Sequence, residues 1–460
     1  MASGTTTQDT PAPDGTGTMS GPAAAAVRAP GRTRRLVRRF TIDTRPLRHP
    51  AYRRLWSSSL VTAVGSQLTA VAVPKQIYDI TGSSEWIGIA SFAGLVPLIV
   101  FGLWGGAIAD AVDRRKLMLV TNCGVALTSV AFWAQAAAGV RSVWLLAGLM
   151  ALQQAMFGLN SPARGAAIPR LVPEQELAAA NALGSTTMLT GALFGPLLAG
   201  ALIPIIGLPT LYLIDAVCLT ATLWAVYRLP ALPPLRSSAG AASKGASEGA
   251  SGSTPSRRTG LADVIDGFRF VTANQLLALS FLVDLIAMVF GMPRALFPQL
   301  AATTFAHNHL ALGLLYASMP AGALVGGLFS GTYTRIRRHG LMTIAAVAAW
   351  GVAMAGFGLS GSIVLACAFM AAGGVADFVS MVFRSAILQS TAPDDMRGRM
   401  QGVFVVVVTG GPRLADLVHG LGGAALGTRT AITAGGLAVV AAVLGLAALC
   451  PAYLRYKSAA

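Results

Sequence analysis

Long apolar runs broken by short polar stretches recur from about residue 55 to near the end of the 460-residue chain. Runs of about 18 residues or more suit helices that cross a bilayer. Twelve can be placed, at about residues 55–78, 86–109, 117–139, 143–160, 182–206, 208–227, 276–299, 310–331, 341–359, 363–382, 402–422 and 431–453. The pattern predicts an all-α polytopic membrane protein with twelve spans. Residues 1–45 are poor in large apolar side chains and read as a disordered arm. Residues 46–229 then hold the first six spans and 261–455 the second six, with 456–460 as a tail. Between them, residues 230–260 turn to Ser, Gly, Ala and Pro, the composition of a flexible linker. Residues 261–272, LADVIDGFRFVT, predict a short amphipathic helix on the membrane surface. Residues 48–54, RHPAYRR, read as a juxtamembrane anchor with Tyr52 at the interface.

Composition agrees: 54% of residues are hydrophobic and 11% charged, against about 25% charged in a soluble domain. The net charge of +16 would suit nucleic acid, but its location excludes that partner. Of 34 Lys and Arg, 29 fall in segments that share one side if there are twelve spans, and only Arg141 and Arg429 fall in opposite loops. That asymmetry places both termini in the cytoplasm and the chain in the cytoplasmic membrane. No cleavable signal peptide is expected, because the first apolar run starts only near Leu55. Cys123, Cys218, Cys367 and Cys450 sit in apolar runs without metal-ligand spacing and read as packing residues. The five histidines are scattered, and no Gly-Lys-Ser/Thr phosphate loop occurs. Enzyme chemistry and ATP-driven transport are therefore disfavoured, and no metal or cofactor is expected.

The two sets of spans repeat. NSPARGAAIPRLVPE at the end of span 4 aligns with SMVFRSAILQSTAPD at the end of span 10, placing Arg164 on Arg384 at an offset of 220. Pro74-Lys75 matches Pro293-Arg294 at 219, and Gly105-Gly106 matches Gly326-Gly327 at 221. Agreement of three landmarks predicts parallel repeats about an axis along the membrane normal.

Residues 105–117, GGAIADAVDRRKL, join spans 2 and 3. So short a link makes the two spans an antiparallel pair, and its basic cluster places it on the cytoplasmic side. The paired glycines allow close helix approach. This link resembles the loop 2–3 signature of the major facilitator superfamily, matched by Gly106, Asp110, Arg114 and Arg115. It departs at Ala111, where Arg is usual, and at Asp113, where Gly is usual; the Asp113 form resembles the enterobactin-exporter and drug-efflux branch. Span 5 contains Gly191, Gly195, Pro196 and Gly200, similar to the motif of drug and proton antiporters, with Ala199 replacing one Gly. Residues 47–88 and LQSTAPDDMRGRMQG before span 11 resemble the same branch. The resemblance implies the major facilitator fold, helices 1, 4, 7 and 10 lining a cavity, and a loop whose Asp110 and Arg114 set the conformational balance. It also implies proton-coupled efflux of a small amphipathic metabolite, such as a siderophore or drug, by alternating access.

Ionisable residues inside spans cost at least about 2.5 kcal/mol each, so they invite a functional reading. Asp284 is the first candidate for proton coupling, followed by Asp377 and Asp416. Asp215 in span 6 reads as a structural carboxylate. Arg413, Asp416 and His419, spaced i, i+3, i+6, can pair along span 11 or handle substrate. Gln153 and Gln154 in span 4 are candidates for a polar ligand or a neighbouring helix. Lys75 and Arg294 read as anchors at helix ends. The expected partners are a small-molecule substrate, protons and the bilayer, with the chain acting as a monomer. An importer and a non-transporting sensor are the alternative readings.

Overall fold

The computed structural model describes residues 43–233, 261–333, 336–391 and 397–456, without the side chains of residues 107, 110, 261–264, 397–402, 404 and 405. The expected arm up to residue 42, most of the linker and the last four residues of the tail lie outside the described residues. Among the described residues, thirteen α-helices of six residues or more carry the fold. They are α1 Pro50–Thr81, α2 Ser84–Ala111, α3 Arg114–Ala137, α4 Val143–Ala167, α5 Leu177–Tyr227, α6 Leu261–Ala273 and α7 Gln275–Gly291. The others are α8 Phe297–Ala302, α9 Ala311–Leu328, α10 His339–Leu359, α11 Ile363–Thr391, α12 Arg397–Leu426 and α13 Thr428–Leu449.

Among the described residues, nine helical stretches are long and apolar enough to cross a membrane. One of them, Glu174–Tyr227, runs 54 residues, enough for two crossings at about 20 residues each. Gly207 divides it: φ of 73° takes the backbone out of the helix between the expected fifth and sixth spans, a conformation only glycine adopts cheaply. The expected first and eleventh spans fall on α1 and α12, of 32 and 30 residues. Both are long enough to cross.

Helix ends follow local chemistry. Ser83, Asp113 and Asn274 each accept a backbone N–H of the helix they open. Gly82 closes α1 in the left-handed conformation, φ 66°. Span 7 departs from expectation: α7 stops at Gly291, and Pro293-Arg294 begins a separate turn before α8. Its repeat partner Pro74 instead stays inside α1. Span 12 ends at Leu449, not 453, because Pro451 opens a new short helix, Pro451–Arg455.

Within the first repeat, α1 packs on α5, α2 on α4, and α3 on both α4 and α5; within the second, α10 packs on α11 and α13, and α9 on α11. Between repeats, α2 packs on α12 and α5 on α9. These two contacts are the same pairing, span 2 with span 11 and span 8 with span 5, as parallel repeats require. Both are closed by glycine. A Cβ on Gly88 would stand 2.5 Å from the Asp416 carbonyl oxygen, and one on Gly420 would stand 2.7 Å from that of Ser84. A Cβ on Gly200 would stand 2.7 Å from Gly313 Cα. Gly200 and Gly420 are themselves 220 positions apart. All four lie toward the end of the bundle opposite Arg114–Lys116, here the far end; the other is the basic end. Ser84 adds a hydrogen bond to Gln299 at 2.8 Å there.

Candidate functional site

Helix α11 continues past the expected end of span 10 at residue 382 as far as Thr391. The extra turns carry Arg384, which the apolar pattern had put in a loop, into the bundle. Arg384 forms an ion pair with Asp284 of α7 and lies 3.9 Å from Asp377, one helical stretch back on α11. The Asp284 side chain is 5% exposed and that of Asp377 35%. The two leading carboxylates thus flank one guanidinium, one shut in and one half-open. A small cavity beside the pair is lined by Leu277, Ser280, Phe281 and Leu388. Ser280, one turn before Asp284, meets the Tyr453 hydroxyl at 3.1 Å.

In the first repeat the equivalent Arg164 also lies within a helix longer than its apolar run, α4, and donates to the Ser59 hydroxyl of α1 at 2.6 Å. Asp215, on the second arm of α5, accepts from Thr69 at 2.7 Å and Ser129 at 2.9 Å. It joins α1, α3 and α5 rather than facing a cavity. Tyr52, expected at the interface, is 3% exposed and donates to the Ala180 carbonyl at 2.8 Å. Packing between α1 and α5 overrides its interfacial preference.

The expected pairing along span 11 does not form. Arg413 donates to Ser91 of α2 at 3.3 Å, and the same hydroxyl donates to Asp416 at 2.5 Å. The two charges, both on α12, are therefore bridged by a serine of the other repeat, because the α2–α12 crossing brings Ser91 between them. His419 hydrogen-bonds the Phe290 carbonyl at 3.1 Å instead of Asp416. This cluster belongs to the far-end closure, not to the Asp284 site. Gln154 lies against Gly94, where a Cβ would stand 3.3 Å from its Cγ; Gln153 is its half-buried neighbour.

The span 5 glycines divide their work. Gly191 and Gly195 set α5 against Ala63 and Gln67 of α1, whereas Gly200, just past Pro196, meets Gly313 of the other repeat. In the 105–117 link, Gly105 makes the close approach, 3.0 Å from a Cβ there to Leu159 Cα, while Gly106 faces open space. Asp110 closes α2, and its side chain lies outside the described residues. Asp113 caps α3 through the Arg115 N–H at 2.8 Å. Arg114 donates to the Ala166 carbonyl at 3.3 Å, and its own N–H to Leu232 at 3.1 Å. Arg115 donates to the Tyr227 carbonyl at 2.5 Å, and Arg170 to that of Pro233 at 2.6 Å. Residues 230–233, the expected start of a loose linker, are thus fastened down, with Leu232, and Leu229 just before them, each 3% exposed. Two leucines in a Pro-rich run were the available signal.

Sequence reasoning had named Asp284 and Asp377 but not the residues that hold them. Arg384 and Arg164 were visible as repeat partners; Ser59 and Ser91 carried no signal of their own.

The family described as transmembrane secretion effector, within the major facilitator group, matches residues 42–455. The chain is 29% identical over 401 residues to the enterobactin exporter EntS of Shigella boydii serotype 18, covering 86% of this chain and 91% of that one. The EntS protein of Escherichia coli O139:H28 matches to the same extent. Among solved structures, the nucleoside transporter NupG superposes with a TM-score of 0.66 at 14% identity, covering 88% of this chain and all of the other. A bacterial homologue of the lysosomal transporter Spinster, inward-facing and unoccupied, gives 0.62 at 16% identity, covering 90% and 97%. At such identities the structures establish the fold alone.

Proposed function

Because this chain belongs to the transmembrane secretion effector family of major facilitator transporters, we propose that it is a proton-driven exporter. It moves a small amphipathic metabolite, such as a siderophore or drug, out across the cytoplasmic membrane by alternating access. The observation that carries the coupling is the buried Asp284–Arg384 pair with Asp377 at 3.9 Å. The similarity to enterobactin exporters supports the outward direction and the siderophore class. The basic end is cytoplasmic by the charge asymmetry. With the far end shut by Gly88, Gly420, Gly200 and Gly313, the arrangement is the one that admits cargo from the cytoplasm. Residues 46–229 and 261–455 are the halves that rock against each other, and the 230–260 segment links them. The surface helix α6 exposes Ile265 and Phe268, side chains suited to the lipid interface.

While Asp284 is ionised, Arg384 ties α7 to α11. A proton on Asp284 removes the Coulombic attraction, and a buried guanidinium left alone would be costly. Asp377 is close enough to take it over. Proton occupancy at Asp284 therefore moves one charged contact by a few ångströms along α11 and changes how firmly two cavity helices are joined. Comparing metabolites inside and outside a host with and without the gene, by mass spectrometry, identifies the cargo. With that cargo, Asp284→Asn in everted vesicles abolishes uphill, pH-driven transport and spares counterflow down the cargo's own gradient. Continued pH-driven accumulation would place the coupling elsewhere; loss of counterflow as well would make Asp284 a structural or binding residue.

A further inference from the structure

The two repeats carry the same arginine in different company. Arg164 and Arg384 lie 220 positions apart, toward the basic ends of α4 and α11, and each reaches the first helix of its own repeat. Arg384 finds Asp284 there, with Asp377 as a second carboxylate. Arg164 finds Ser59, a neutral acceptor, at 2.6 Å, and among the described residues no carboxylate pairs with it. The first-repeat positions 219 and 220 residues before Asp284 are Gly65 and Val64. The carboxylate of the second repeat therefore has no counterpart on α1; Asp215 of α5 comes to that place, its Oδ1 3.2 Å from where a Cβ on Gly65 would stand, but its hydrogen bonds are to Thr69 and Ser129 rather than to Arg164.

Among the described residues, no other side chain brings Arg164 a negative charge. Tyr52 gives its hydroxyl to the Ala180 carbonyl. Ser59 gives its own proton to Leu55 at 2.5 Å, so it receives from Arg164 without bringing negative charge. A guanidinium keeps its charge under all ordinary conditions. Setting one among packed helices without a counter-ion is unfavourable unless an anion completes it. Arg164 is only half-buried, which leaves part of its fork open to a solute.

We propose that Arg164, with Ser59 behind it, is an anion-binding site in the first repeat that takes the carboxylate, sulfonate or phosphate group of the cargo. The planar fork offers paired N–H donors to such a group, and the bond to Ser59 fixes its orientation. The anion then plays for Arg164 the part that Asp284 plays for Arg384. Its assignment to the cargo rests on the export reading above. A phospholipid headgroup offers the same chemistry, and the experiment separates the two sources.

The full chain is placed in phosphatidylcholine nanodiscs and studied by equilibrium dialysis with two dyes. One is 8-anilinonaphthalene-1-sulfonate; the other, N-phenyl-1-naphthylamine, has the same aromatic body without the sulfonate. The wild type is expected to bind the sulfonate about tenfold or more tighter than Arg164→Gln, as loss of one charged hydrogen-bonding partner implies. The neutral dye binds both alike. Ser59→Asp supplies the counter-ion that Arg384 already has, so it is expected to fold and to lose the sulfonate preference to the same degree. It decides the matter if Arg164→Gln does not fold. Equal sulfonate binding by the wild type and Ser59→Asp overturns the site. Phosphatidylglycerol is then added, and its retention on detergent-extracted protein is read by native mass spectrometry. Displacement of the dye by this lipid, with retention lost in Ser59→Asp, overturns the assignment to cargo; dye binding unaffected by the lipid supports it. Equilibrium binding needs no proton gradient, so failure here is distinct from failure of coupling.

Discussion

At the scale of single residues, the second repeat depends on Asp284 and Arg384 together. Removing one member of a buried pair leaves the other uncompensated, at about 3–5 kcal/mol, whereas replacing both by apolar residues is often neutral. Arg384→Leu should therefore lower the thermal unfolding temperature in detergent more than the double change Asp284→Leu/Arg384→Leu does. Equal or additive losses would mean that the two side chains act independently. Both variants should fail in pH-driven transport, because neither retains the exchange between Asp284 and Asp377.

At the scale of helices, small residues decide which surfaces meet. Apolar side chains gain little from leaving lipid for another helix, so close backbone approach and interhelical hydrogen bonds supply the association. Gly105 and Gly106 separate these uses. Gly105 sits 3.0 Å (from an added Cβ) from Leu159 of α4, while Gly106 faces open space in this conformation. Gly105→Leu should lower both expression and thermal stability by disrupting the α2–α4 contact. Gly106→Leu should leave both near normal and lower transport alone, because its free face is the one that the opposite repeat must approach when the basic end closes. Normal transport by Gly106→Leu at normal expression would remove that glycine from the gating loop.

At the scale of the whole molecule, the contacts between repeats on α2–α12 and α5–α9 gather toward the far end, where Ser91 links Arg413 to Asp416. The alternating access proposed above requires that these loosen and that contacts form at the basic end instead. In the proposed cycle Asp110, at the end of α2, meets the N-terminus of α12 when the basic end closes, where the helix dipole favours a carboxylate by about 0.3–1 kcal/mol when exposed. Asp110→Asn should reduce transport severalfold while membrane insertion, read by extraction and surface labelling, stays intact. Unchanged transport would exclude that contact as part of the cycle.

The sequence alone determined that this chain crosses a membrane many times in two repeats, and which end is basic. Crossing a bilayer demands long apolar runs with every backbone bond satisfied within the helix, and both requirements are written locally. It also determined that Asp284 and Asp377 are costly where they sit. Only the tertiary structure decided their partner. Arg384 reads as a loop residue because an apolar run marks where lipid contact ends, not where the helix ends, and α11 continues among its neighbours to Thr391. Arg413 and Asp416 looked like a pair because helical spacing places them on one face, yet Ser91 of another helix came between them. Helical periodicity gives the face a residue occupies; which helix meets that face depends on close approaches such as Gly88 on Gly420, made far apart in the chain.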